Sequence, residues 1–81
     1  MSYFEYPLDY DMYNMEEIEI IISFLSYIEE NHKHYVFKEF EEKYKLYRKT
    51  VNSKAEEKRI NKEFEELSGI NIYQEARKLG L

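Results

Sequence analysis

The chain has 81 residues, a formal net charge of −5, nine Tyr, five Phe, two Gly, one Pro and no Cys. That length fits one domain, and it leaves a thin core: a chain this short buries only roughly 60% of its unfolded surface. Without Cys there are no disulfides, no thiolate metal sites and no thiol chemistry, so stability must come from the packing of large aromatic rings or from a partner.

Residues 1–13 read as an arm. Tyr6, Leu8, Tyr10 and Met12 recur at period two, as in an extended segment. Pro7 pushes Tyr6 out of the helical region, which predicts an arm laid across a helical body. The arm also carries Tyr3, Phe4 and Tyr13. Five aromatic residues in thirteen are too many to leave in water. They cover their own chain or form a contact surface for another protein or a second copy, where Tyr is enriched.

A first helix is predicted from Asn14. Asn is a strong N-cap, Glu17 stands where a capping-box carboxylate belongs, and Glu16 and Glu17 suit the positive end of the helix dipole. Positions 18, 20, 21, 22, 24, 25, 27 and 28 are apolar, nearly the whole circumference, which predicts the central and most buried helix, fraying over 29–34. The uncharged run Ile20–Ile28 is about half of the ~20 residues that a membrane span takes. No Lys or Arg precedes Lys33, so the basic region of a secretion signal is lacking and a cytoplasmic location is expected.

The spacing predicts a second helix over 35–50, with Val36, Phe37, Phe40, Tyr44, Tyr47 and Val51 on one face. A third begins at Ser53 with Glu56 at the capping-box position, carries Ile60, Phe64 and Leu67 as its stripe, and stops at Gly69 in the left-handed conformation with Ile70 closing the contact. Asn71 caps a short fourth helix, with Gln74 at its capping-box position, apolar contacts at Ile72, Tyr73, Ala76 and Leu79, and an end at Gly80. The expected fold is all-α: a three-helix bundle with a short fourth C-terminal helix over 14–80 and an extended aromatic arm over 1–13, one domain across 1–81.

Charge is segregated along this plan. Residues 1–30 hold eight acidic side chains and no basic one. Residues 43–62 hold eight basic side chains against Glu56 and Glu57, net +6. Lys54, Lys58 and Lys62 repeat every four residues opposite the Ile60 and Phe64 stripe. Clustered Lys could take phosphate by releasing counterions from nucleic acid. The plainer reading is a solvated stripe balancing an acidic neighbour: no aromatic interleaves it to stack bases, and the whole chain is acidic.

Catalytic signatures are missing from the sequence. No Ser sits in a Gly-rich elbow and no Gly-rich loop can cradle phosphate. Glu29 and His32 have the spacing of one half of a di-metal carboxylate motif, but such sites need two copies and further inward carboxylates. His34 cannot share a helical face with His32. Glu63, Glu65 and Glu66 read as solvated carboxylates beside a Phe stripe. The expectation is therefore a non-catalytic protein without cofactor or metal, acting on a protein partner or on itself as a homodimer. Nucleic acid is the second choice, and no membrane role is expected.

Several strings resemble a known family: Tyr6-Pro7-Leu8-Asp9-Tyr10, Glu16-Glu17-Ile18, Ser53-Lys54-Ala55-Glu56-Glu57-Lys58-Arg59-Ile60, Phe64-Glu65-Glu66 and Ser68-Gly69. Together they look like the YktA-like family of small uncharacterised proteins of low-GC Gram-positive bacteria, over nearly the whole chain. The long Ser53–Gly69 stretch is the most specific part. The resemblance implies a small, helical, cytosolic protein and no assigned activity. The chain departs from the family's usual pattern in having Tyr13 where a Trp precedes the first helix, and Asn52 where a Pro precedes Ser53.

Overall fold

Asn14, Ser53 and Asn71 each hold an extended backbone and accept a hydrogen bond from the amide three residues on, and a helix follows each of them. A computed structural model describes residue 6 and residues 8–81. Four helices follow in order: α1 (Met15–Asn31), α2 (Phe37–Thr50), α3 (Lys54–Ser68) and α4 (Ile72–Lys78), with no strand among the described residues. None is long and apolar enough to cross a membrane.

The capping box of α1 is complete: Asn14 Oδ1 accepts from the Glu17 amide at 2.8 Å, and Glu17 Oε1 accepts from the Asn14 amide at 2.9 Å. At α3 only half of the expected box forms. Ser53 Oγ accepts from the Glu56 amide at 3.3 Å, but the Glu56 carboxylate turns to Arg59, a stronger charged donor. Gly69 ends α3 at φ +78°, its amide donating to Glu65 O at 2.7 Å, and Ile70 folds back onto the core.

α2 starts two residues later than its periodicity suggests. The Tyr27 hydroxyl of α1 accepts from the Val36 amide at 3.0 Å and donates to the Val36 carbonyl at 3.3 Å. That pair of bonds holds Val36 extended, and the helix begins after it. Phe24 of α1 meets Phe40, Tyr44 and Tyr47 of α2, while Lys43 reaches Ser23. Contacts running from 27 with 36 to 23 with 43 make the two helices antiparallel.

One core joins α1 (Ile21, Phe24, Leu25, Tyr27, Ile28) and α2 (Phe40, Tyr44, Tyr47) with Val51, Ile60 and Phe64, Ile72 and Ala76, and the arm residues Tyr6 and Leu8. Tyr6 stacks on Phe64 with ring centroids 6.5 Å apart. The arm is not extended throughout: the Met12 amide donates to Asp9 O and the Asp11 amide to Asp9 Oδ1, each at 3.0 Å, making a turn over 9–12.

The apolar stripes are also narrower than their spacing suggests. Val36 and Phe37 are about half exposed, and Leu67 is 59% exposed. Tyr73 is exposed too. α1 is not enclosed on all sides: Ile18, Ile20 and Ile22 are only partly buried, and Met15 is 75% exposed. Among the described residues, the other elements cover one side of α1 and leave the other open.

The helix ends give a first prediction. Ser53→Ala removes a cap oxygen and should cost about 1 kcal/mol in thermal or urea unfolding. Gly69→Val forces a β-branched residue into positive φ and should cost more, on the order of 2 kcal/mol. Two negligible effects would mean that these caps do not hold α3.

Candidate interaction surface

α1 has more apolar positions than its core-facing side can use. Ile21, Phe24, Leu25 and Ile28, at i, i+3, i+4 and i+7, fill the inner face. Met15, Ile18 and Ile22, with Glu19, Ser23 and Ser26, form the outer one and line a surface depression of about 510 Å³. A second depression of about 480 Å³ runs alongside, lined by Glu16, Glu19, Ile20, Ser23, Lys43 and the half-exposed Leu46. Glu19 and Ser23 belong to both, so the two form one continuous surface. The small serines keep it open, and their hydroxyls are already engaged. Ser26 Oγ donates to Ser23 O at 3.3 Å, and Ser23 Oγ accepts from Lys43 Nζ at 2.8 Å.

The aromatic arm divides between core and surface. Tyr6 is buried, Tyr13 is half-buried against the core, and Tyr10 and Met12 are exposed on the turn. Tyr3 and Phe4 lie outside the described residues. Burial, and after it the nearby Glu56 carboxylate, pushes the Tyr13 pKa up to about 12. Arg59 donates to Glu56 Oε2 at 3.2 Å and to Glu63 Oε2 at 2.6 Å. Its guanidinium is held charged above its ordinary range, chiefly by Glu56, and it holds the Glu56 carboxyl below the usual carboxylate range. A depression of about 490 Å³ beside this cluster is lined by Tyr6, Leu8, Asp9, Met12, Glu56, Arg59 and Glu63. Its one cation is neutralised by two carboxylates.

The basic segment divides as well. Lys43 is bonded to Ser23, Lys45 pairs with Glu41 at 3.5 Å, Arg48 pairs with Glu57 at 3.6 Å, and Arg59 is spoken for. Lys54, Lys58 and Lys62 are exposed on α3 and form no ion pair among the described residues. Of the Glu63, Glu65 and Glu66 group, Glu63 binds Arg59 and Glu65 accepts from Asn71, so they do not converge. His32 is exposed, its Nδ1 3.2 Å from the Glu29 carbonyl.

A buried polar network was missed by the stripe reading of α3. Tyr47 Oη donates to Asn61 Oδ1 at 2.8 Å, both side chains buried. Glu57, also buried, meets Arg48 and lies 3.5 Å from Tyr73 Oη. Tyr35 Oη donates to Glu75 Oε1 at 2.5 Å, joining the α1–α2 loop to α4. Burial, before any charge effect, raises the pKa of Tyr35, Tyr47 and Tyr73. The signal was present: 57, 60, 61 and 64 share one helical face, so Glu57 and Asn61 must enter the core beside Ile60 and Phe64.

The sequence model of an uncharacterised protein family, UPF0223, matches residues 3–79. A UPF0223 protein of Bacillus cytotoxicus is 45% identical over 76 residues, covering 93% of this chain and 84% of the relative. A UPF0223 protein of Streptococcus agalactiae is 38% identical over 74 residues, covering 90% of this chain and 78% of the relative. One of Staphylococcus aureus is 39% identical over 72 residues, covering 88% of this chain and 78% of the relative. No solved structure matches. These relatives agree with the resemblance to small uncharacterised proteins of low-GC Gram-positive bacteria, and they carry the UPF0223 designation rather than the YktA label.

Proposed function

The chain belongs to UPF0223, an uncharacterised protein family, and on that footing we propose that it is a small non-catalytic module that binds a protein partner, another protein or a second copy, through the outer face of α1. In this reading α1–α3 make a three-helix bundle, one domain closed by α4 and by the side chains of Tyr6 and Leu8, working in the cytoplasm. The observation that carries it is the continuous surface of Met15, Ile18, Ile20 and Ile22 of α1 with Leu46 of α2, exposed or only half-buried. Placing apolar side chains in water on so small a protein is costly unless something covers them. Tyr10 and Met12 extend the exposed apolar set onto the arm.

The test uses the tagged chain as bait in a bacterial lysate, beside a Met15→Glu/Leu46→Glu variant. Both positions are exposed, so the variant should keep its helical content while losing what the parent retains. Identical retention by both baits, together with an identical mass of the two proteins in solution, would sink the reading.

A second reading has one observation in its favour: Lys54, Lys58 and Lys62 stand exposed on α3 with no ion pair among the described residues, as phosphate ligands would. Binding to labelled RNA or DNA at about 50 mM salt should still be no tighter than the roughly 10⁻⁴–10⁻⁶ M of non-specific association. Tight, salt-sensitive binding abolished by changing all three lysines to Glu would make nucleic acid the partner instead.

A further inference from the structure

We infer that the occupant of the α1 outer face is a second copy of this chain, its α1 antiparallel to the first, with Glu19 of each copy facing Lys43 of the other. The inference rests on the reading of that face as a contact surface and adds the identity of the partner.

The charges on the face are complementary to themselves. Glu16 and Glu19 stand toward its N-terminal half, and neither forms an ion pair among the described residues. Lys43 stands toward the other half. Among the described residues its ammonium hydrogen-bonds only the Ser23 hydroxyl, a neutral partner, and it lies 5.8 Å from the centroid of the Tyr27 ring. A two-fold axis near Ile22 and Ser23 carries the Glu16 and Glu19 end of one copy onto the Lys43 end of the other. A parallel arrangement would stack acid on acid. The antiparallel arrangement also opposes the two helix dipoles favourably.

The shape agrees. Met15, Glu19 and Ser23 form one row at spacing four, and Ile18, Ile22 and Ser26 form the next. The depression between them is the groove into which a like ridge packs. Ser23 and Ser26 place the smallest side chains at the middle, where two backbones would approach most closely. A two-fold contact needs a surface that carries both halves of every pair, and this one does. Covering it would also enlarge a thin core by the route open to a chain without disulfides.

The experiment is sedimentation equilibrium on the purified chain, expected to give twice the 10.1 kDa chain mass. Glu19→Lys and Lys43→Glu should each raise the dimer dissociation constant about tenfold or more, because each places like charges across the contact. Mixed in equal amounts, the two variants should associate again, since each then offers the charge that the other lacks. Attraction between Glu19 and Lys43 within one copy could not be rescued by mixing. Circular dichroism checks that both variants fold, and Lys43→Gln replaces Lys43→Glu if the latter does not, with weakened association still expected. A monomer at every concentration, a dimer indifferent to both reversals, or no rescue on mixing would overturn the inference. A monomer whose bait still retains another protein through Met15 and Leu46 would remove self-association and leave the interaction reading standing. Loss of both would remove that reading as well.

Discussion

Phe24→Ala should cost the protein about 3–5 kcal/mol, a large share of its stability at room temperature. Phe24 is fully buried on α1, with its ring stacked 4.8 Å from Tyr47, edge-on to Phe40 at 5.6 Å and tilted against Tyr44 at 5.7 Å. Truncating a buried Phe costs about 3–5 kcal/mol, part lost transfer energy and part the cavity left behind. At about 0.05–0.15 kcal/mol per residue, a chain of this length has only about 4–12 kcal/mol in total. Phe24 sits where rings from α2 converge, so no neighbouring element can move in to refill the space. Urea unfolding followed by helical ellipticity gives the number, with Leu67→Ala, 59% exposed on α3, as the control. A loss below about 1 kcal/mol at Phe24 would mean that this ring cluster is not the centre of the core.

Alkaline pH should unfold the protein cooperatively. Tyr13 has its pKa raised from 10.0 to about 12, and Tyr35, Tyr47 and Tyr73 are raised as well, each first of all by burial. The folded state therefore holds these protons more tightly than the unfolded chain. Their contribution is fully present below pH 10, and stability falls as pH rises from there through the folded values. Tyr47 is the most deeply placed, with its hydroxyl committed to Asn61. Phenolate absorbance and helical ellipticity, measured together between about pH 9 and 12.5, should change in one steep step. Nine tyrosines titrating gradually near 10 with the helices intact would contradict the buried placement of these rings. On the acid side, Glu56 acts with the opposite sign. Arg59 depresses its pKa, so its contribution is present above the usual carboxylate range and is lost as pH falls through the depressed value.

What could be read in the sequence was whatever is decided within one helical turn. The caps at Asn14, Ser53 and Asn71 and the left-handed Gly69 follow from neighbours three or four residues away, and the helices begin and end at them. The lysine stripe of α3 was legible for the same reason. Contacts between distant residues were not. The late start of α2 depends on a tyrosine nine residues upstream, and the turn after Leu8 depends on where Tyr6 finds Phe64. Eight apolar positions around α1 said that the helix prefers burial but not how many neighbours would come to bury it. The open side of that helix, and with it the proposed contact surface, emerged only from the packing. Leu67 lies outside while Glu57 and Asn61 lie inside because α2 and α4 offer polar partners at that point, Arg48, Tyr47 and Tyr73.

The antiparallel pairing of α1 with α2 has a kinetic consequence. The helices are joined by only five residues, 32–36, so the loop that must close before Phe24 meets Tyr44 is short and its entropic cost is small. This hairpin should form early, with the Tyr27 hydroxyl fixing the bend at Val36 as the rings come together. Tyr6 must reach across to Phe64, and α4 must wait for α3, so both join a scaffold that already exists. Weakening the late pieces should quicken unfolding and leave the folding rate nearly unchanged, whereas damage inside the hairpin should slow folding itself.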